Sequence, residues 1–337
     1  MAIGTVRPQF PTALAVRHRS DLSGPASNAS PMAPADDDIS IEEKRVYAGT
    51  AGRTDAYVAT ASGVVRVALS ADKVGAFEMV SQESARDAAV LSRGDAPDLL
   101  AVATAEGLLA SPVSDDLAFE SVETGSAVAV GTHDGAFLVA GEDGGIDRIE
   151  FEHVGTDAGE VDGIDATVTR VGSVSDPTAI DGSLVAAADG VHRIVEATGA
   201  ESGQKLVAVG LDDARDVAGR GIPLAATATG LYWLGNGWMV ARAGDAAAVA
   251  ADGDGHAMAV VDGDLLVHGR DTDEWEAETW SAADLPVDEV PAALAYGPGM
   301  SVAVTDAGTL CVDAGDGWRH QVIGVREVAG LALAVVE

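Results

Sequence analysis

The chain has 337 residues, 54 acidic side chains against 20 basic ones, a net charge of −34 and a pI near 4.2, yet 47% of it is hydrophobic. Acidic disorder combines high charge with few apolar residues, so this balance describes a folded protein long enough for one large domain or two ordinary ones. It argues against nucleic-acid binding, because no basic stripe exists to neutralise phosphates, and equally against an anionic membrane surface.

The acids are 35 Asp and 19 Glu, the bases 17 Arg and 3 Lys, and they are scattered along the whole chain. That pattern suits solvation in concentrated salt, where a Debye length of about 3 Å at 1 M screens self-repulsion. A calcium-rich extracellular acidic protein is the rival reading. No apolar run approaches the ~18 residues that span a bilayer. Cys311 is alone, which excludes an intrachain disulfide and a cysteine metal cluster. In "TLCVDAG" it alternates like a strand residue and reads as a buried thiol.

Residues 1–31 carry Arg7, Arg17 and Arg19 against the single acid Asp21, whereas "MAPADDDISIEEKRVY" from Met32 is acidic at once. Neither a secretory apolar stretch nor a twin-arginine pair accompanies the arginines. Residues 1–31 are therefore either a flexible extension or a mis-assigned start before Met32, and the expected location is the cytoplasm.

One phrase then recurs. An Ala/Val-rich run meets a glycine turn at Gly63 ("DAYVATASGVVRVALS"), Gly107, Gly135, Gly190, Gly230, Gly263 and Gly308. Each turn is followed by a second β-rich run, which is a hairpin signature. The six intervals average about 41 residues and range from 28 to 55, with the third unit fitting worst. Four strands at that period are a β-propeller blade. The expected fold is all-β: a single propeller over residues 32–337 with seven four-stranded blades, six or eight also being compatible. The small residues of the first run are expected on the innermost strand, with Tyr232, Trp233, Trp238 and Trp318 farther out. "IEEKRVYAG" (41–49) and "EVAGLALAVVE" (327–337) are the strands expected to close the ring, since a free edge would expose unpaired backbone.

A second recurrence places an aromatic after an acidic or amide turn: "LGNGWMV", "AGDGWRH", "TDEWEAE", and Phe77 and Phe119 in equivalent places. It resembles a worn Asp-box blade, Ser-x-Asp-x-Gly-x-x-Trp, of sialidase-like propellers, in which the Asp braces the turn and the aromatic packs between strands. That resemblance implies no catalytic residue. "IEEKRVYAG" with the "VATxxGVxRV" blades resembles a β-propeller family of salt-loving archaea, which implies the fold but no reaction.

Arg86, Arg215 and Arg326 each precede an acid, and repeated Arg-Asp/Glu at one blade position reads as salt bridges within or between blades. Only four tyrosines occur, none in a nucleophile context, so sialidase chemistry is not expected. "ADGDGHAMAVVDGD" gathers Asp252, Asp254, His256, Asp262 and Asp264. Oxygen-rich turns suit Ca²⁺ or Mg²⁺, and the Asp252/Asp254 spacing resembles the start of a calcium loop. "DG" is also the commonest hairpin turn, so no cofactor is the simpler expectation. Phosphate loops and nucleophile elbows are lacking.

A small-molecule site would sit at a channel mouth, and the residues just ahead of the presumed innermost strands are Asp55, Asp98, Asp181, Arg220 and His256. The leading reading is a non-catalytic, monomeric scaffold for another protein, with the long insertion Gly141–Gly172 as a contact element. The alternative is a divalent-cation-dependent hydrolase or lactonase, or a small-ligand binder, with its site at the mouth.

Overall fold

The recurring phrase folds as a hairpin in all seven places, and its threonine shows why it recurs. Thr60, at the end of strand β1 (Arg53–Thr60), donates its hydroxyl to the Gly63 carbonyl at 2.8 Å and accepts the Ser62 N–H. Thr104 and Thr227 repeat this with Gly107 and Gly230. One side chain thus satisfies the backbone groups of a tight turn. Gly63 sits at φ +132°, and a Cβ there would overlap the Ser81 carbonyl, so the turn requires glycine.

The structure is a computed structural model that describes residues 53–94, 96–157, 160–197, 203–269 and 274–336. Its 28 strands, numbered β1–β28 in chain order, form seven four-stranded antiparallel sheets. The fold is a seven-bladed β-propeller. Blade 1 has the order β28 (Val328–Val336), β1, β2 (Gly63–Ser70), β3 (Lys73–Ser81), and blades 2 to 7 follow in sequence. The last strand of the chain lies innermost beside β1, with Asp55 opposite Ala334 and Tyr57 opposite Ala332. The expected partner strand 41–49 lies outside the described residues.

The phrase has a different phase from the one the sequence suggested. In six blades it forms the second and third strands. Only in blade 3 is it the first and second, β8 (Ala127–His133) and β9 (Ala136–Gly141). The equivalent blade-3 turn is at Gly144, 37 residues after Gly107 and 46 before Gly190, which removes the irregular third interval. The insertion Gly141–Gly172 supplies the third and fourth strands of that blade, β10 (Gly145–Asp157) and β11 (Glu160–Ser173), 13 and 14 residues long.

The innermost strands are therefore β28, β4 (Ala85–Leu91), β8, β12 (Pro177–Asp181), β16 (Ala214–Ala218), β20 (Ala246–Ala251) and β24 (Pro291–Gly297). They enclose a channel of about 340 Å³. These strands too are rich in Ala, and the crowding argument holds for them. A Cβ on Gly131 of β8 would overlap the Ile180 carbonyl of β12. Seven apolar clusters fill the wedges, each shared by two consecutive blades; Val58, Val65, Val67, Val302, Val304 and Leu310 join blade 1 to blade 7, for example. Burying these faces between sheets is what holds a ring of repeats together.

Candidate functional site

The innermost strands share one irregularity. In β4, β8, β12, β16, β20 and β24 the pairing register shifts after the first residue, which leaves Arg86, Val128, Thr178, Arg215, Ala247 and Ala292 as bulges. A bulge turns its side chain out of the ladder, and in three of these six it reaches the next blade. The Arg86 guanidinium donates to the Ala127 carbonyl at 3.3 Å and pairs with Glu142 at 2.8 Å. Thr178 Oγ1 donates to the Ala214 carbonyl at 3.0 Å, and Arg215 pairs with Asp245 at 2.6 Å. The inter-blade ion pairs expected of Arg86 and Arg215 are present, although their partners are not the acids that follow them. Arg326 is not equivalent: it lies in the loop before β28, exposed, and no ion pair holds it among the described residues.

The following acids do something else. Asp87 Oδ1 accepts the Ala88 N–H at 2.8 Å, and Oδ2 accepts the Val130 N–H of the next innermost strand at 2.9 Å. Asp216 repeats this with Val217 and Val249, both at 2.8 Å. Asp181, two positions farther along its strand, accepts the Gly219 N–H at 2.7 Å. Each carboxyl is a clasp between consecutive blades. The open side of Asp87 and Asp216 faces the channel and not bulk water, so burial pushes both up to about 7 despite the N–H bonds that oppose the shift. The charges of Asp87 and Asp181 add to the rise at Asp216. Burial likewise raises Asp181, against the Gly219 N–H and the Arg220 charge.

The residues expected at the mouth lie beside the second strands, at the end of the channel where the innermost strands finish. Asp181 and Arg220 line the channel and are adjacent in space. Asp252 and His256 follow on blade 6. The Arg220 loop touches theirs, since a Cβ on Gly253 would lie 3.5 Å from the Arg220 Cβ. The His256 ring nitrogen Nδ1 donates to Asp252 Oδ2 at 2.6 Å, while Oδ1 accepts the N–H groups of Asp254 and His256 at 2.7 and 3.0 Å. Burial alone would raise Asp252; the His256 contact and these N–H bonds outweigh it and hold the carboxyl below its ordinary range. Asp254 thus enters the loop through its backbone. Among the described residues no three His, Cys, Asp or Glu side chains converge as metal ligands.

Asp98 braces the turn after β4, accepting from Ser92 and Arg93. Asp55 is fully buried and gripped by both nitrogens of the Arg53 fork at 2.8 and 2.9 Å, with Arg66 4.0 Å away. Arg53 and Arg66 continue to Asp115 of blade 2, so this network is a seam between the first two blades.

A different feature lies where the ring closes. A groove of about 620 Å³ separates the outer strands of blade 1 from the loop before β28. Its walls are Val65, Phe77, Met79, Ile323 and Val325, with Arg326 on the rim. Phe77 and Met79 are 43% and 47% exposed. The aromatic recurrence gave Phe77 a structural role, packed between strands. Its exposure in the groove appears only when the first and last blades meet.

The other aromatic turns join third strands to fourth ones. Asp313 Oδ1 braces its turn by accepting from Gly315 and Gly317, and Trp238 Nε1 donates to the Val209 carbonyl of the preceding blade at 2.9 Å.

Residues 40–334 match the family described as "Beta-prop_HVO_0234:-like, beta propeller", and the chain belongs to that family. No curated protein matches it. Among solved structures it is similar to a chain of a nidogen/laminin complex, at 8% identity and a TM-score of 0.51, over 84% of this chain and 99% of that one. It is also similar to a putative 6-phosphogluconolactonase from Bacteroides fragilis NCTC 9343, at 11% identity and a TM-score of 0.51, over 85% and 98%. At such identities the likeness is one of fold alone.

Proposed function

We propose that this propeller is a non-catalytic platform for another protein, working in a high-salt cytoplasm, and that the partner meets it at the seam of the first and last blades. The observation that carries the reading is the closure groove. On a chain with a net charge of −34, Phe77 and Met79 stand exposed side by side over a cavity of about 620 Å³. Contiguous exposed apolar side chains are costly in water and mark contact surfaces. The channel supports the same reading, because its carboxylates are engaged in holding neighbouring strands and loops.

The test is a photo-crosslinking amino acid placed at position 77 of the full chain in its native host, with position 240 of blade 5 as a control of similar exposure. One discrete protein adduct from position 77 and none from position 240 is the expected result. No adduct, or the same adducts from both positions, would remove the seam as a binding surface.

A further inference from the structure

The seam exposes more than side chains. β3 is the outermost strand of blade 1 and, among the described residues, pairs only with β2, so its far edge has no strand partner among them. It is nine residues long, against three for the fourth strands of blades 2 and 6 and four for that of blade 7. Short edge strands resist addition of another chain, whereas a long one with exposed apolar residues invites it. Phe77 and Met79, two apart, share the face that looks into the groove, while Glu78, on the opposite face by register, also borders it and is tied to Arg66.

The rim supplies a charge. Seven described arginines are held in ion pairs; Arg326, exposed beside the apolar walls, is among those that have none with a described residue. A guanidinium in that position selects a carboxylate, which it can grip through two parallel hydrogen bonds. Contact at that distance survives concentrated salt, where attraction beyond about 3 Å is screened.

We propose that the groove receives an extended segment of the partner protein that adds to the free edge of β3, sets alternate apolar side chains against Phe77 and Met79, and presents a carboxylate to Arg326. This rests on the platform reading given above. A strand fits better than a helix because the β3 edge offers backbone hydrogen bonds that a helix cannot use.

The probe is a display library of short random peptides, selected against the full chain in molar KCl. Enriched peptides are expected to alternate apolar and polar residues and to carry Asp or Glu at one fixed position. Arg326→Glu should switch that position to Lys or Arg. Phe77→Asp should weaken binding at least about tenfold, or ~1.4 kcal/mol. Both residues are exposed, and an unchanged thermal transition confirms that each variant folds. Peptides with helical spacing, peptides indifferent to Phe77→Asp, or a charge preference unmoved by Arg326→Glu would overturn the strand mode. If nothing is selected while the crosslink from position 77 persists, the strand mode fails and the platform reading stands. If the crosslink is absent as well, both fall.

Discussion

Raising the pH from 5 to 8 should loosen the ring, and the cause is the pair of channel clasps. A free aspartate titrates near 3.8, whereas Asp87 and Asp216 are pushed up to about 7. The folded chain therefore binds these two protons more tightly than the unfolded chain does. Their contribution to stability is complete below about pH 4, declines as pH rises, and is lost once pH passes about 7. Each group supplies a slope of at most ~1.4 kcal/mol per pH unit across that window. The charge of Asp87 also adds to the rise at Asp216. Asp181 is shifted in the same direction by burial and adds to the trend.

Groups held low, such as Asp252 and Asp143, act in the opposite sense, losing their contribution only as pH falls through the ordinary carboxylate range and below. The clasps therefore supply a falling limb between pH 5 and 7. The assay is denaturant unfolding across that interval at fixed high salt, for the native chain and for Asp87→Asn and Asp216→Asn. Each amide turns an NH₂ group toward a backbone N–H, so both variants lose about 1–3 kcal/mol at pH 5. Their slope should fall by up to ~1.4 kcal/mol per unit for each site removed. Equal slopes in all three proteins, or a carboxyl carbon NMR titration of Asp87 and Asp216 near 4, would refute the reasoning.

Two further expectations concern the packing between blades. Gly131→Ala forces a methyl against the Ile180 carbonyl and should lower stability by ~1–3 kcal/mol, read by thermal unfolding. Gly269→Ala, with no described atom within 4 Å of its Cβ, should change it by less than about 0.5 kcal/mol. Trp238→Phe removes the bond to the Val209 carbonyl and should cost ~1 kcal/mol in the same assay, with faster amide exchange in blade 4.

The ring was legible in the sequence because its signal is local. "VATxxG" spells a hairpin within nine residues, and its threonine does the turn's work within that span. Strand rank was not legible, because first, second and third strands are all short, apolar and Ala/Val-rich, and the phrase does not say which side of it faces the channel. Blade 3 misled for the same reason: its first strand also ends in a glycine turn, at Gly135. The "ARDA" and "ARDV" recurrences marked the seam but not the chemistry. Asp87 binds a backbone N–H 43 residues away, and a backbone donor leaves no trace in residue identity. The groove was hidden for another reason, since it joins residues 60–79 to residues 323–326 and exists only once the ring has closed.

That closure seam should also open before the clasped seam between blades 2 and 3. Blade 2 grips blade 3 through Asp87 and blade 5 grips blade 6 through Asp216, while Asp181 ties blade 4 to blade 5. Blades 1 and 2 share the Asp55, Arg53 and Asp115 network. Between blades 7 and 1 the clasp position of β24 is held by Ala293, so the junction rests on the apolar cluster around Val302 and Val58 and on the exposed Arg319–Asp72 ion pair at 3.3 Å, with the groove at its outer end. Sub-global opening follows the least-braced interface. Amides of β3 and of β27 (Arg319–Val322) should therefore exchange before those of β7 (Glu120–Val122), although β7 is the shorter edge strand. Exchange in the reverse order would mean that side-chain clasps contribute little beside apolar packing, and that the seam is no weaker than the rest. Replacing Ala293 with Asp supplies the missing carboxylate and should slow exchange in β3 and β27 while leaving β7 unchanged. If it does, the groove owes its openness in part to the missing clasp at this seam.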